Sequence, residues 1–342
     1  MLKVMNEKEL KQFIDKLNND YKVAAPVKKQ QGKQEILEYD YIEEFEEIHL
    51  EEQPDKSPKE FFLPQNEVLD PEAIAKSNPE ENKTIIFGVR SCDIEALRVF
   101  DDVFLDDTYV DPYYEKRRDN TIIIGYSCPH REPTCFCDQL GISPHENKLA
   151  DLYLYKFDDK YWIKSINEDS EKLIKDLADG DEDLFDEKLK NKKDNFGESD
   201  FKFNMETPIP EEKAFNAPIW DDIAEKCLGC GVCTYYCPTC FCFNFFFDED
   251  DKENQKYRSW DSCMFSLFTK HASGHNPRET QGQRWRQRLM HKFSYHPQNY
   301  GGLSCVGCGR CVKKCPVTLD IREALKSTEE YLKDEGGAVV ED

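Results

Sequence analysis

The feature that most constrains this chain is a cysteine motif that occurs twice. Each copy has the spacing C-x2-C-x2-C-x3-C and ends in proline. The copies comprise Cys227, Cys230, Cys233, Cys237 and Pro238, and then Cys305, Cys308, Cys311, Cys315 and Pro316. Three cysteines separated by two residues let one tight loop supply three corners of a [4Fe–4S] cubane. Glycines at positions 229, 231, 307 and 309 allow the backbone to approach the sulfurs closely.

The fourth cysteine of each motif lies beyond the loop and, in proteins with two clusters, ligates the other cluster. The predicted ligand sets are Cys227, Cys230, Cys233 with Cys315, and Cys305, Cys308, Cys311 with Cys237. The alternative is a zinc ribbon built from C-x2-C pairs. It leaves the third and fourth cysteines and both prolines unexplained, so the sequence predicts two [4Fe–4S] clusters.

Residues 238–304 separate the two motifs, which is too long for a compact ferredoxin without inserted structure. The stretches "SWDSCMFSLFTKHASG" and "RETQGQRWRQRLMHKF" have helical periodicity. The arrangement therefore resembles the α-helical dicluster domains of electron-transfer subunits in anaerobic oxidoreductases.

Four more cysteines follow two predicted buried strands, "KTIIFGV" and "TIIIGYSC". They are Cys92, Cys128, Cys135 and Cys137. Adjacent strands that end at the same edge of a sheet would bring these thiols together, so we expect a third [4Fe–4S] cluster there. Packing of buried thiols and a structural zinc ion are the alternatives.

The sequence Pro-Thr-Cys-Phe-Cys occurs at residues 133–137 and again at 238–242. In the second copy, both predicted clusters already have four ligands. We interpret Cys240, Cys242 and the isolated Cys263 as packing around the clusters. The alternative is that one of them replaces a predicted ligand.

From the composition we expect a cytoplasmic protein that binds neither nucleic acid nor a membrane. The N-terminus lacks the apolar core of a signal peptide, and no run approaches the ~18 apolar residues of a membrane span. Fifteen cysteines in a reducing compartment indicate metal binding rather than disulfides. The net charge of −23 would repel phosphate, which excludes nucleic acid.

We predict the α+β class, with 342 residues divided into two domains. Residues 1–205 should form a mixed α/β domain, and residues 206–342 a mostly α-helical ferredoxin-like dicluster domain. A helix is predicted over residues 6–18, with Asn6 and Glu9 in capping-box spacing. The charged residues 181–200 are expected to be an exposed excursion or linker.

A local basic run stands out in this acidic chain. It consists of Arg278, Arg284, Arg286, Arg288, His291 and Lys292. Three explanations are open: salt bridges to the chain's own carboxylates, docking of a partner, or neutralisation of thiolate-ligated clusters, which would raise their potentials.

Several segments together identify a family. They are "GVRSCDIEALRVFDDVF", "DPYYEKRRDNTIIIGYSC", "PTCFCD", "CLGCGVCTYYCPTCFCF" and "HKFSYHPQNYGGLSCVGCGRCVKKCPV". Nearly the whole chain resembles the 4Fe–4S dicluster β subunits, which include sulfhydrogenase β subunits of cytoplasmic NiFe hydrogenases and A subunits of anaerobic sulfite reductases. The acidic stretches "FDEDDKENQK" and "DGDEDLFDEK" look like surface elaborations on the family pattern.

The resemblance implies an electron-transfer subunit within a hetero-oligomer. Its partners would be a flavin and [2Fe–2S] subunit that reacts with NAD(P)H, and a catalytic subunit with a NiFe or sirohaem centre. We predict no catalytic residues, since the chain has neither a G-x-G-x-x-G fingerprint nor a P-loop. The alternatives are an enzyme that binds a flavin or substrate beside the third cluster, and an iron–sulfur sensor.

Overall fold

The computed structural model describes residues 1–72, 83–205, 207–247 and 255–337. It contains both helices and sheets, which agrees with the predicted α+β class. The chain divides into two compact units. The first consists of Met1–Leu63, Asp70–Asp200 and Val306–Cys308, and the second of Pro64–Leu69, Phe201–Cys305 and Gly309–Asp342. Within the described residues, no helix is long and apolar enough to cross a membrane.

The strands are short and most lie in the first unit. They are β1 (Leu2–Asn6), β2 (Lys22–Gln31), β3 (Gln34–Tyr41), β4 (Asn66–Val68), β5 (Thr84–Val89), β6 (Leu105–Asp106), β7 (Tyr109–Val110), β8 (Thr121–Tyr126), β9 (Leu152–Phe157), β10 (Lys160–Ser165), β11 (Ala178–Asp179), β12 (Phe243–Phe247) and β13 (Lys256–Trp260).

The helices range from single turns to segments of several turns. They are α1 (Glu7–Asp20), α2 (Lys59–Phe62), α3 (Ser91–Phe104), α4 (Pro112–Asp119), α5 (Glu171–Ile174), α6 (Glu182–Phe196), α7 (Glu211–Ala214), α8 (Ile219–Ala224), α9 (Val232–Tyr235), α10 (Gln281–Met290), α11 (His296–Tyr300), α12 (Arg310–Lys313) and α13 (Ile321–Gly337). A π-helical turn, His291–Tyr295, joins α10 to α11.

An eight-stranded sheet organises the first unit, with the order β11-β1-β10-β9-β8-β5-β2-β3. Its centre is parallel, because β2 pairs with β5, β5 with β8, and β8 with β9 in the same direction. Parallel strands are covered on both faces, which explains the nearly continuous apolar runs of β5 and β8. The chain segments that leave β5 and β8 therefore start from the same edge of the sheet.

Helix α1 confirms the predicted N-terminal helix. The Asn6 side chain accepts a hydrogen bond from the Glu9 backbone, and the Glu9 carboxylate accepts one from the Asn6 backbone. This capping box satisfies two backbone N–H groups at the start of the helix. The apolar face of α1 is buried in the core that covers the sheet.

Residues 181–200 are mostly exposed, as expected of an exposed excursion, but they form α6 rather than a linker. Asp181 caps the helix by accepting a hydrogen bond from the Leu184 backbone. Phe185 is 2% exposed and contacts the rings of Tyr155, Phe157 and Trp162. One well-placed aromatic side chain therefore anchors an otherwise charged helix. The other acidic stretch, "FDEDDKENQK", lies mostly outside the described residues.

The second unit contains a three-stranded antiparallel sheet, in the order β12-β13-β4, that the sequence analysis did not predict. A buried ion pair fastens β4 to β13, since the Arg258 Nε donates to the Glu67 Oε2 at 3.0 Å. The stretch "SWDSCMFSLFTKHASG" was expected to be helical, but it ends a strand and continues in turns. The predicted helix over "RETQGQRWRQRLMHKF" is present as α10 and the turn after it.

Candidate iron–sulfur sites

The first candidate site is a cavity in the second unit with a volume of about 440 Å³, including space open to solvent. Its cysteines are the predicted set Cys227, Cys230, Cys233 and Cys315, together with Cys311. Apart from these cysteines and Arg288, only glycine, proline and apolar residues line it. The structure thus brings together the first three cysteines of one motif and the last cysteine of the other.

Three N–H groups donate hydrogen bonds to sulfurs of this site. The Gly229 backbone donates to the Cys227 Sγ at 3.4 Å, and the Leu319 backbone donates to the Cys315 Sγ at 3.3 Å. The Gln281 side chain adds a bond of 3.2 Å to the Cys227 Sγ. Such bonds stabilise thiolate charge and tune the potentials of iron–sulfur clusters.

The loop of each motif depends on glycines in the left-handed region. The four glycines at 229, 231, 307 and 309 have φ values between +61° and +76°. At Gly231, a Cβ would also lie 2.6 Å from the Phe265 ring. Close approach of the backbone to the sulfurs is expected at these glycines from the sequence, and the structure adds the positive φ.

The cysteines of the second predicted ligand set are divided between the two units. Cys237, Cys305 and Cys311 belong to the second unit, whereas Cys308 belongs to the first. In the second unit, Cys237 is buried and its Sγ lies 3.2 Å from the Thr239 Oγ1. The Cys240 thiol donates to Cys237 and, with the nearby cations, holds the pKa of Cys237 well below its usual range.

Two cations, Arg288 and Lys292, lie buried among the sulfurs of the second unit. The Lys292 Nζ is 3.5 Å from the Cys237 Sγ and 2.8 Å from the Thr239 Oγ1. The Arg288 Nη1 is 3.7 Å from the Cys240 Sγ. Burial alone would lower the pKa of both groups, but the surrounding thiolates outweigh burial and raise it, so both stay charged.

The rest of the basic run has other contacts. The Arg284 guanidinium donates to carbonyl oxygens of Arg278 and Glu279 at the start of α10. Arg286 lies over the Phe215 ring, 3.6 Å from its centroid. Burial lowers the pKa of His291 to about 4. The residues of the basic run therefore have different contacts, and of its described residues only Arg288 and Lys292 donate hydrogen bonds to cysteine sulfurs.

The third candidate site is a cavity of about 470 Å³ in the first unit. All four predicted cysteines line it: Cys92, Cys128, Cys135 and Cys137. Cys92 lies in the first turn of α3 after β5, and Cys128 follows β8. These parallel neighbours deliver both thiols to one edge of the sheet. Burial raises the pKa of the Cys128 and Cys137 thiols.

The segment Val306–Cys308 packs against this third site within the first unit. The Phe136 backbone N–H donates to the Gly307 oxygen at 2.8 Å, and the Cys135 thiol donates to the Cys308 oxygen at 3.4 Å. Cys308 also shares a buried cluster with Cys92 and Cys137. Nothing in the spacing of either motif indicated this contact.

Polar side chains surround the third site more densely than the first. Its lining includes Arg90, Arg131, Glu51, Glu132 and His130. Arg90 donates through Nη2 to the Glu52 oxygen at 2.9 Å and lies over the Tyr126 ring. Its buried Nη1 has no hydrogen-bond partner among the described residues.

The remaining three cysteines line neither cavity, and two of them, Cys240 and Cys242, directly follow the first motif. Cys240 bonds to Cys237, and the thiol of Cys263 shares a hydrogen bond with Cys242. The pairing of β12 with β13 explains the second contact, because Cys242 directly precedes β12 and Cys263 follows β13. The two copies of Pro-Thr-Cys-Phe-Cys thus occupy different surroundings.

Comparison with known proteins agrees with the cysteine pattern. Residues 226–319 match the family model of a 4Fe-4S dicluster domain. Over 337 residues, the chain is 31% identical to sulfhydrogenase 2 subunit beta from Pyrococcus furiosus. The alignment covers 94% of this chain and 96% of that relative. The chain belongs to the 4Fe–4S dicluster β-subunit family.

The cavities of this family member fit iron–sulfur clusters by the chemistry of their donors. A single zinc ion holds its sulfurs at about 2.3 Å. Within the described ranges, no three His, Cys, Asp or Glu side chains lie close enough to share one metal ion. The buried Nε and Nη2 of Arg288, without hydrogen-bond partners in the described part of the chain, also suit a cluster's sulfide or thiolate.

Proposed function

We propose that this chain is a cytoplasmic electron-transfer subunit of a soluble anaerobic oxidoreductase complex. Its partners are a flavin and [2Fe–2S] subunit that reacts with NAD(P)H and a catalytic subunit of the NiFe hydrogenase or sulfite reductase type. The observation that carries the proposal is that each of two cavities is lined by all four cysteines of one predicted ligand set. The P. furiosus relative is named as a subunit, which supports a hetero-oligomer.

The proposal assigns three [4Fe–4S] clusters to the chain. Cluster 1 has Cys227, Cys230, Cys233 and Cys315 as ligands, cluster 2 has Cys305, Cys308, Cys311 and Cys237, and cluster 3 has Cys92, Cys128, Cys135 and Cys137. Clusters 1 and 2 belong to a ferredoxin-like dicluster domain of residues 206–342. Cluster 3 belongs to a mixed α/β domain of residues 1–205.

Within each unit, ligands of different proposed clusters lie close to one another. In the first unit, the cluster 2 ligand Cys308 packs beside the cluster 3 ligand Cys137. In the second unit, the Arg288 charge interacts with Cys233 of cluster 1 and Cys311 of cluster 2. Members of the proposed cluster 2 set thus have neighbours from the cluster 3 set in the first unit and from the cluster 1 set in the second. Cys230 is the exposed cysteine of cluster 1, so a partner could exchange electrons there.

The residues around cluster 1 suit electron transfer better than substrate chemistry. A [4Fe–4S] cluster, when bound, accepts and releases single electrons. Its thiolates hold it, N–H donors stabilise its charge, and the apolar lining limits water access. Among the described residues that line the first cavity, none is a carboxylate or histidine that could transfer a proton to a substrate.

A second candidate function is a substrate- or flavin-binding enzyme centred on the third site. The polar lining of that cavity favours it, because Glu51, Glu132 and His130 could act on protons. The two candidates differ in what the isolated chain would bind besides iron.

We expect the full chain, purified without oxygen, to contain roughly twelve irons, four for each of three clusters. Iron and sulfide analysis would measure this content, and EPR during a potentiometric titration would show reversible reduction. About eight irons would remove cluster 3 from the proposal. Flavin absorbance in the isolated chain would favour the enzyme, and clusters that cannot be reduced reversibly would favour a sensor.

A further inference from the structure

Arg288 and Lys292 are two buried cations on one stretch of helix. They are 2% and 3% exposed, and they lie four residues apart where α10 passes into the π-helical turn. Residues at this spacing share a helix face. Removing a charge from water costs several kcal/mol unless an opposite charge compensates it. The structure must therefore supply negative charge next to both side chains.

No carboxylate supplies that charge within the described residues. The Lys292 Nζ donates to the Thr239 Oγ1 at 2.8 Å, to the Ser304 oxygen at 3.0 Å and to the Cys237 Sγ at 3.5 Å. The two oxygens are neutral, which leaves the Cys237 sulfur as the anionic contact. Cys240 and Cys305 add to the negative charge around Lys292.

Arg288 has fewer hydrogen-bond partners than Lys292. Its Nη1 donates to the Cys240 Sγ at 3.7 Å, and its Nε and Nη2 donate to no described residue. The side chain lines the first cavity. Its charge also interacts with Cys233, Cys311 and Cys237, which belong to two different proposed ligand sets. Arg288 therefore lies beside both proposed clusters, whereas Lys292 lies beside the sulfurs of one.

We propose that Arg288 and Lys292 set the reduction potentials of the dicluster, with Arg288 acting on clusters 1 and 2 and Lys292 on cluster 2. The inference rests on the proposed electron-transfer function. Reduction adds one negative charge to a cluster, and a nearby cation stabilises that charge strongly where water is excluded. Both side chains act on the clusters electrostatically, and neither is a cluster ligand.

The same helix provides a matched control. Arg286 also carries a positive charge, but it lies over the Phe215 ring and its Nη1 donates to the Phe215 oxygen at 3.0 Å. It lines neither cavity. A general effect of removing one charge from this acidic chain would appear in Arg286→Gln as well as in the other variants.

The test compares Arg288→Gln, Lys292→Gln and Arg286→Gln in the full chain by potentiometric EPR, with iron analysis of each sample. At a fixed applied potential, removing a cation should lower the reduced-to-oxidised ratio of its cluster about tenfold, which corresponds to ~59 mV for one electron. We expect one potential to fall in Lys292→Gln, two in Arg288→Gln and none in Arg286→Gln.

Unchanged potentials in Arg288→Gln and Lys292→Gln, with iron retained, would overturn the proposal. So would an equal shift in Arg286→Gln. If the glutamine variants lose iron, Arg288→Lys and Lys292→Arg test the role of the positive charge instead. The proposal requires these charge-conserving variants to keep the iron and stay within about twofold of the wild-type ratio. Loss of iron or a tenfold change would overturn it. Failure of the proposed function would look different, because wild-type clusters would then show no reversible reduction.

Discussion

Cys237→Ser is expected to remove one cluster, roughly four of the bound irons, whereas Cys240→Ser is expected to leave the iron content unchanged. Cys237 is buried and Cys240 is half-buried, and both interact with the cations Arg288 and Lys292. Only Cys237 has the motif spacing that allows it to reach the other cluster. A serine oxygen is a poor replacement for a thiolate ligand of iron.

Iron and sulfide analysis of anaerobically purified protein would measure this difference, and EPR would show which signal is lost. Cys240→Ser is a close control, because it removes a sulfur that hydrogen-bonds to Cys237. The reverse result, in which Cys240→Ser loses iron and Cys237→Ser keeps it, would exchange the two roles. It would then favour the alternative in which an additional cysteine replaces a predicted ligand.

Gly307→Ala is expected to destabilise the first unit strongly. A Cβ at this position would lie 2.6 Å from the backbone N of Cys137 and the backbone C of Phe136, and neither atom can move as a flexible side chain could. The φ of +61° adds its own strain. Positive φ at a non-glycine residue costs about 1–3 kcal/mol, and overpacking typically adds roughly 1–3 kcal/mol.

Gly32→Ala separates these two contributions. Gly32 has the same φ of +61°, but a Cβ added there would have no atom within 4 Å. The alanine variant should therefore show only the cost of the backbone conformation. Thermal unfolding followed by circular dichroism at one scan rate would compare the variants. Equal losses at both positions would contradict the close contact between Gly307 and the Cys137 backbone.

The sequence predicted the parts of the fold that depend on local patterns. The capping box at Asn6 and Glu9 and the apolar runs of β5 and β8 are local signals, and the structure shows the corresponding elements. The segment 181–200 is mostly exposed as expected but forms α6 rather than a linker, and the prediction of a helix over "SWDSCMFSLFTKHASG" was wrong. The buried Phe185 anchors α6 to the first unit. The second stretch begins in β13, where Ser259 pairs with the distant Asn66. Such distant pairings leave no periodic signal.

In the candidate sites too, local features could be predicted from the sequence, whereas contacts between distant segments could not. The spacing of Cys227, Cys230 and Cys233 predicts a cluster loop by itself, because the loop is local. The prediction that the four cysteines of the third site lie together depended on the assumption that β5 and β8 are neighbours in the sheet, and the structure shows this pairing. The contact of Cys308 with the third site, and the different surroundings of Arg286 and Arg288, depend on tertiary packing that composition and spacing do not encode.

The position of Val306–Cys308 has a consequence for how the protein is made. These residues complete the buried cluster that contains Cys92 and Cys137, although they are synthesised about two hundred residues after Cys92. A ribosome must therefore translate nearly the whole chain before the surroundings of the third site can close. Until then, its thiols would stay accessible to cluster-delivery proteins and to oxidants. Maturation of this site would follow translation rather than accompany it.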